Sequence, residues 1–496
     1  MLFDYDDRNE DSIFNYAEKL INRTFRDILS EYEKSSKKRY TNPYEYNYDN
    51  ISIEEEEPDY ITNQKSKGEL GNFLEKYYFG YKPNSNQDAD FSKAGMELKQ
   101  TCLNKKKNGE YSAGERLSIT NISYNEPVEH DFYKSHLWKK IERILLVHYL
   151  RDKSKERLDY PIIYVSRFSP PKEDLKIIID DYNKINNKIE AGLAHELSEG
   201  DTIYLGACTK GATALKSLQP QYYGEHIPAK KRNFCFKRNY MDYILHEYVE
   251  KKKVPYEPII KNAAELDGIT FETYVTNLIN QYIGKTDKEL CHKFNREYNN
   301  NKAQWVDLAY KMLGIKGNHA KEFIKANIVV KSIRIEQNGS IRENMSFPPF
   351  LFKDLVKEEW ENSTIFNYFE ETKFLFVIFK NVGDCYELLG SQLWNMPYND
   401  LNTIVYNGWK NIQDCIKNDV KFVQYGKIIK NNLPKKSDNP IIHIRPHAKK
   451  SAYKLKSGYI VGNIERDANE LPNGEYMTTQ SFWINNTYIL SQLKVK

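Results

Sequence analysis

Asp90-Phe91-Ser92-Lys93-Ala94-Gly95-Met96-Glu97-Leu98-Lys99 is the stretch from which the rest of the chain can be read. From Gly95 to Thr101 apolar and polar residues alternate, the pattern of a half-buried strand. Period two puts Met96 and Leu98 on one face and Glu97, Lys99 and Thr101 on the other, with Glu97 and Lys99 about 7 Å apart along the strand. Ala94-Gly95 lets the chain double back from Asp90. Upstream, Lys67-Gly68-Glu69-Leu70-Gly71-Asn72-Phe73-Leu74-Glu75 leads into a helical segment. There Phe73, Leu74 and Tyr77 form the apolar face and Glu75 lies off it. Three carboxylates and a lysine are what a magnesium-dependent phosphodiesterase needs: hard oxygen ligands for the ion, and a cation that orients or activates the attacking oxygen. Alone, Glu97-Leu98-Lys99 would be a solvated surface in a chain rich in Glu and Lys. The conjunction with Asp90 and Glu75 is what gives it weight.

These segments resemble the PD-(D/E)xK nucleases of the MutH group, and more closely the type II restriction endonucleases of the Sau3AI type, which cut at GATC. Lys67-Gly68-x-x-Gly71-x-x-x-Glu75 carries the first signature and Asp90 to Lys99 the second. The third is Ser135-His136-Leu137-Trp138-Lys139-Lys140-Ile141-Glu142-Arg143, a short helix running into the apolar strand Ile144 to Val147. Further matches lie at His195 to Gly200, Thr209 to Ala212, Ile442 to His447 and Met477 to Asn486. The resemblance implies an α/β fold of mixed α+β character, a restriction-endonuclease-like central mixed sheet flanked by helices. It implies Asp90 and Glu97 as Mg2+ ligands, with Glu75 as a direct or outer ligand. Lys99 would position or deprotonate the attacking water. Lys140 would neutralise charge at the scissile phosphate, with Lys139 as its rival because a helix end slips easily in alignment. Lys210, Lys237 and Arg238 are the expected DNA contacts of the first half, Arg445 and His447 those of the second. The chain departs from the mismatch-repair branch, with Cys208-Thr209 where that branch has Arg-Pro and Cys235 where it has Tyr. His443-x-x-x-His447 also has the spacing of a metal pair but lacks a third ligand nearby.

The implied activity is hydrolysis of double-stranded DNA at GATC, with a cut before the G that leaves a 5′-phosphate. A mismatch-repair nicking endonuclease and a non-catalytic GATC-binding regulator are the competing readings. The intact Glu75, Asp90, Glu97 and Lys99 argue against the second of these. Expected partners are GATC-bearing DNA and, in the host, a cognate DNA methyltransferase. A monomer is expected, with dimerisation or looping on DNA left open.

Composition is compatible with this reading. A chain of 496 residues exceeds one ordinary core, so two domains and a connector are expected. The net charge of +4 leaves any nucleic-acid surface as a local patch. Six scattered cysteines with no CxxC pair point to free thiols in a reducing cytoplasm. No signal peptide or membrane span is legible, so a soluble cytoplasmic protein is expected.

Along the chain, Ile13 to Leu29 reads as one helical stretch, Lys172 to Leu193 as a long helix, Thr202 to Ala207 as a strand and Met241 to Glu250 as helical. Residues 1–250 are expected as the catalytic domain, 251–300 as a helical connector and 301–496 as a second, duplicated MutH-like domain. In that duplication Phe234 matches Phe482, Phe236 matches Ile484 and Tyr240 matches Tyr488. Val329 falls at Glu97, Lys331 at Lys99 and Glu370 at Lys140. A valine cannot ligate magnesium, so the second copy should bind DNA without cutting it.

Overall fold

The computed structural model describes residues 4–40, 70, 72–81, 88–209, 217–252, 255–299, 301–426 and 428–495. Lys67, Gly68 and Gly71 of the first signature, the acidic run 54–59 and Lys210 with its following Gly-Ala lie outside the described residues. The chain forms two compact units. One holds Met1–His195 with Tyr204–Pro255, the other Glu196–Ile203 with Tyr256–Lys496.

In the first unit, helix α1 (Glu10–Glu18) is capped by the Asn9 side chain, and α2 (Phe25–Tyr40) follows. The single helix expected over Ile13 to Leu29 is therefore two. Asn22 breaks it with φ +68°, a left-handed conformation that asparagine tolerates, and its N–H donates to the Ile162 carbonyl at 2.9 Å. The strands are β1 (Glu97–Lys105), β2 (Tyr111–Ala113) and β3 (Leu117–Asn121); then, after α3 (His136–Ile141), β4 (Ile144–Leu150) and β5 (Ile162–Phe168). Helix α4 (Lys172–Glu190), β6 (Leu205–Thr209), β7 (Arg232–Phe236) and α5 (Arg238–Ile244) complete the set. The strand expected from Thr202 starts three residues later, because the Tyr204 and Leu205 N–H groups donate to the Asp181 carboxylate at 2.7 and 2.9 Å.

Strand order in the main sheet is β2-β1-β4-β5, with β1 parallel to β4 and β5 antiparallel to it. A second sheet runs β3-β7-β6, all antiparallel. Met96 and Leu98 pack with Leu145 and Val147 under α1, α2 and the helical turn Glu75–Phe79. The opposite face of β1 is left to Glu97 and Lys99, as alternation requires.

The second unit repeats this plan. Its elements are α6 (Phe271–Asn280), α7 (Lys302–Met312), α8 (Lys321–Ala326), β8 (Ile328–Ile335), β9 (Met345–Phe350), α9 (Thr364–Glu371), β10 (Lys373–Asn381) and β11 (Tyr386–Trp394). They continue through α10 (Tyr406–Lys417), β12 (Ile442–Pro446), β13 (Gln480–Ile484) and α11 (Asn486–Gln492). Strand β8 is parallel to β10, which pairs antiparallel with β11; β9-β13-β12 form the second sheet. Register agrees between halves. Glu97 lies opposite Ile144 and Val329 opposite Phe374; Phe234 lies opposite Ala207 and Phe482 opposite Ile444. Of the stretch 251–300 expected as a helical connector, the residues from Tyr256 onward group with the second unit. Helix α6 buries Phe271, Val275 and Ile279, and its Asn280 side chain accepts from the Ser391 N–H in β11 at 2.8 Å.

Candidate active site

Glu97 is the centre of the polar cluster in the first unit. Its side chain is 1% exposed. It accepts from Lys99 Nζ at 2.5 Å, from Lys140 Nζ at 3.1 and 3.2 Å, and from the Asp90 N–H at 3.1 Å. Three local devices produce this. Gly95 at φ +65° turns the chain so that Phe91 and Met96 bridge, which returns Asp90 beside the strand start. The strand period keeps Lys99 on the same face as Glu97. Ser135 caps α3 by accepting from the Trp138 N–H at 3.1 Å, and that short helix carries Lys140 inward. Lys139, its rival from the sequence, is exposed and pairs with Asp88 at 3.1 Å.

Asp90 accepts from the Leu98 N–H at 2.9 Å. Burial, and then the Glu97 charge, push its carboxyl above the usual range. Glu75 opens the helical turn Glu75–Phe79 on the other side of the cluster. Burial first, then Asp90, raise its carboxyl to about 7, while Lys99 and Lys140 act in the opposite direction. Two carboxyls held towards protonation, first by burial and then by neighbouring carboxylate charge, are a site that a divalent cation would relieve, and all its oxygens are the hard donors magnesium takes. Among the described residues no three His, Cys, Asp or Glu side chains are already gathered closely enough to hold an ion. Glu97 is engaged by two ammonium groups and Asp90 by a backbone N–H. The donor set fits a cation that displaces those contacts.

One neighbour escaped the sequence reading. The Tyr81 hydroxyl is buried without a hydrogen-bond partner, and burial followed by the charges of Asp90 and Glu75 raises its pKa. A tyrosine among the Tyr-rich residues 77–81 carries no sequence signal that would single it out.

The counterpart cluster in the second unit is dismantled. Val329 packs against the apolar core, and Lys331 stands at the Lys99 register without a glutamate beside it. Glu322, seven residues before Val329 as Asp90 is before Glu97, is turned to the Ile259 and Ile260 N–H groups at 2.8 and 3.3 Å.

The expected DNA contacts fare unequally. Lys237 immediately precedes α5 and is 5% exposed. Its backbone N–H donates to the Tyr204 carbonyl at 3.0 Å. Arg238 is exposed, with Nε on the Ala113 carbonyl at 3.2 Å. Arg445 is exposed and its guanidinium lies 5.1 Å from the Trp483 ring centre, beside a hollow that Lys435 and Lys436 also line. His447 is exposed with Nδ1 3.3 Å from Ser481 Oγ; His443 is buried against Asn485 at 2.6 Å. That difference in burial and partners separates the two histidines as a metal pair. All six cysteines are unpaired, and no helix among the described residues is long and apolar enough to cross a membrane.

Comparison with known proteins agrees with this geometry. Residues 79–181 match the family described as DNA mismatch repair enzyme MutH, a span that takes in Asp90, Glu97, Lys99 and Lys140. The type II restriction enzyme Sau3AI of Staphylococcus aureus is 34% identical over 461 residues, 87% of this chain and 93% of that enzyme.

Proposed function

Because the chain belongs to the Sau3AI-type, MutH-related type II restriction endonucleases, and so is a site-specific deoxyribonuclease, we propose that it cuts double-stranded DNA at GATC with Mg2+. The observation that carries the reading is the Glu97 carboxylate, buried between Lys99 and Lys140 with Asp90 and Glu75 beside it. Asp90 and Glu97, with Glu75, would hold the ion. When bound, Mg2+ stabilises charge on the phosphoryl oxygens and makes water a better nucleophile. Lys99 orients or deprotonates the attacking water. Lys140 offsets charge on the scissile phosphate. Water attacks phosphorus in line, the P–O3′ bond breaks before the G, the leaving oxygen takes a proton, and a 5′-phosphate remains.

The second unit, with Val329 where the first has Glu97, is read as a binding unit that takes another GATC copy and activates the first. Exposed Arg445 on β12 and His447 just after it support this reading, as does Arg238 for the first unit. Such coupling is typically about 1–3 kcal/mol, or roughly 5- to 150-fold. The test is cleavage of unmethylated plasmids carrying one or two GATC sites, with an uncleavable GATC duplex added in trans. Linear product, faster cutting of the two-site plasmid and acceleration by the duplex at low concentration are expected, with Arg445→Ala blunting the acceleration. Nicked product alone would favour a mismatch-repair role. Equal rates on both plasmids with inhibition only would leave the second unit as a clamp.

A further inference from the structure

Within the second unit, Phe422–Tyr425 pairs antiparallel with Ile428–Asn431 in a hairpin, and Gly426 at φ +59° begins its turn. Phe422 and Ile429 pack on the core, with the Phe422 ring centre 5.9 Å from that of Tyr453. Strand alternation sends the other set outward. Val423 lies opposite Lys430 and Tyr425 opposite Ile428, so these four share the outer face. Val423, Tyr425 and Ile428 are 50%, 58% and 64% exposed, and Lys430 Nζ lies 5.0 Å from the Tyr425 ring centre. Apolar side chains gathered on an exposed face mark a contact surface.

The hairpin is an addition to the repeat. In the first half α4 and β6 are joined by residues 191–204, which hold no strand. In the second half α10 and β12 are joined by residues 418–441, which hold the hairpin. The plan common to both halves forms without it.

Its charge points to the occupant. From Val420 to Ser437 the chain carries Lys421, Lys427, Lys430, Lys435 and Lys436 and no Asp or Glu. The second strand ends at Asn431, which lines the hollow shared by Lys435, Lys436 and Arg445. Lysines without carboxylates call for a polyanion, and the apolar face between them calls for one that also offers apolar edges. Duplex DNA does both: its major groove, about 12 Å wide, admits a two-stranded ribbon, and thymine methyls line it.

We propose that this hairpin enters the major groove of the duplex held by the second unit, with Val423, Tyr425 and Ile428 against base edges and the lysines on flanking phosphates. The proposal rests on the reading of that unit as a DNA-binding one and adds the element that reaches the bases.

The experiment uses the metal-free full-length protein with two duplexes, one carrying GATC and one with that site scrambled. In each, single thymines are replaced by 5-iodouracil, whose reactive iodine lies in the major groove. Photocrosslinks of the parent are expected within residues 420–437, at Tyr425 foremost, when mapped by mass spectrometry. Tyr425→Ser and Ile428→Ser should each weaken binding about fivefold or more with an unchanged salt slope, because apolar contacts release no counterions. Lys430→Gln should reduce the slope by about 1. The substituted side chains are exposed, so circular dichroism should show parent-like folding; should a variant misfold, the parent crosslinks decide. Crosslinks only outside residues 420–437, or folded serine variants that bind as the parent does, overturn the proposal. It is also overturned if the variants keep duplex binding but lose binding to phosphatidylserine vesicles, or lose self-association in the ultracentrifuge. Equal parent affinity for both duplexes refutes the GATC preference alone, and the crosslinks still judge the hairpin. A parent that binds neither duplex overturns both.

Discussion

Replacing Glu75 by glutamine should make the metal-free protein more stable at pH 8 while crippling its cutting. The Glu75 carboxyl is raised from 4.5 to about 7, chiefly by burial and then by Asp90. A group raised in the folded state contributes stability that is full below about pH 4.5 and is lost as pH rises through about 7. The whole interval corresponds to about 3 kcal/mol, at ~1.4 kcal/mol per pH unit. The side chain is only partly buried, so solvent screening reduces this to roughly 1–2 kcal/mol. Glutamine keeps the shape and has no proton to lose. Urea denaturation of parent and Glu75→Gln at pH 4.5, 6 and 8 without divalent ions measures the difference. The variant should gain at pH 8, about 2–6 °C on a thermal scan, and show no gain at pH 4.5. Adding Mg2+ at pH 8 should stabilise the parent and not the variant. A gap that is the same at all three pH values would refute the raised, buried Glu75 carboxyl on which this prediction depends.

Glu97→Ala and Lys99→Ala should each abolish cleavage while duplex binding measured by gel shift largely persists, because phosphate contacts elsewhere supply most affinity. Cutting by Glu97→Ala at more than a few per cent of the parent rate removes it from the metal site. Lys140→Ala should slow cleavage at least tenfold and Lys139→Ala less than threefold, since Lys140 reaches Glu97 and Lys139 reaches exposed Asp88. A fragment of residues 256–496 should express as a folded protein that binds DNA and never cuts. One starting at 301 should aggregate, because it loses α6 from the back of β11.

Much of the site was legible because its signals are local. Glu97, Leu98 and Lys99 sit on one strand, and two-residue alternation fixes which side chains share a face. The parallel pairing of β1 with β4 was not read from the sequence, though the residues matched between the halves occupy the same register in both parallel pairs. What sequence could not supply was tertiary. Asn22 ends a helix whose apolar pattern runs on, because a strand carbonyl 140 residues later captures its N–H. The burial of Lys237 had no signal in the sequence. The choice between Lys139 and Lys140 turns on roughly 100° of helix rotation, which no motif spacing resolves.

Glu322 has a consequence for how such a protein can change. A codon change at Val329 would bring back one carboxylate, but the residue seven before it already fastens the backbone of Ile259 and Ile260. Recruiting Glu322 to a metal would strip two buried N–H groups of their acceptor, at about 1–3 kcal/mol each. A glutamate at position 329 alone would therefore not assemble a carboxylate cluster like the one around Glu97, because Glu322 is already committed to holding the backbone beneath it.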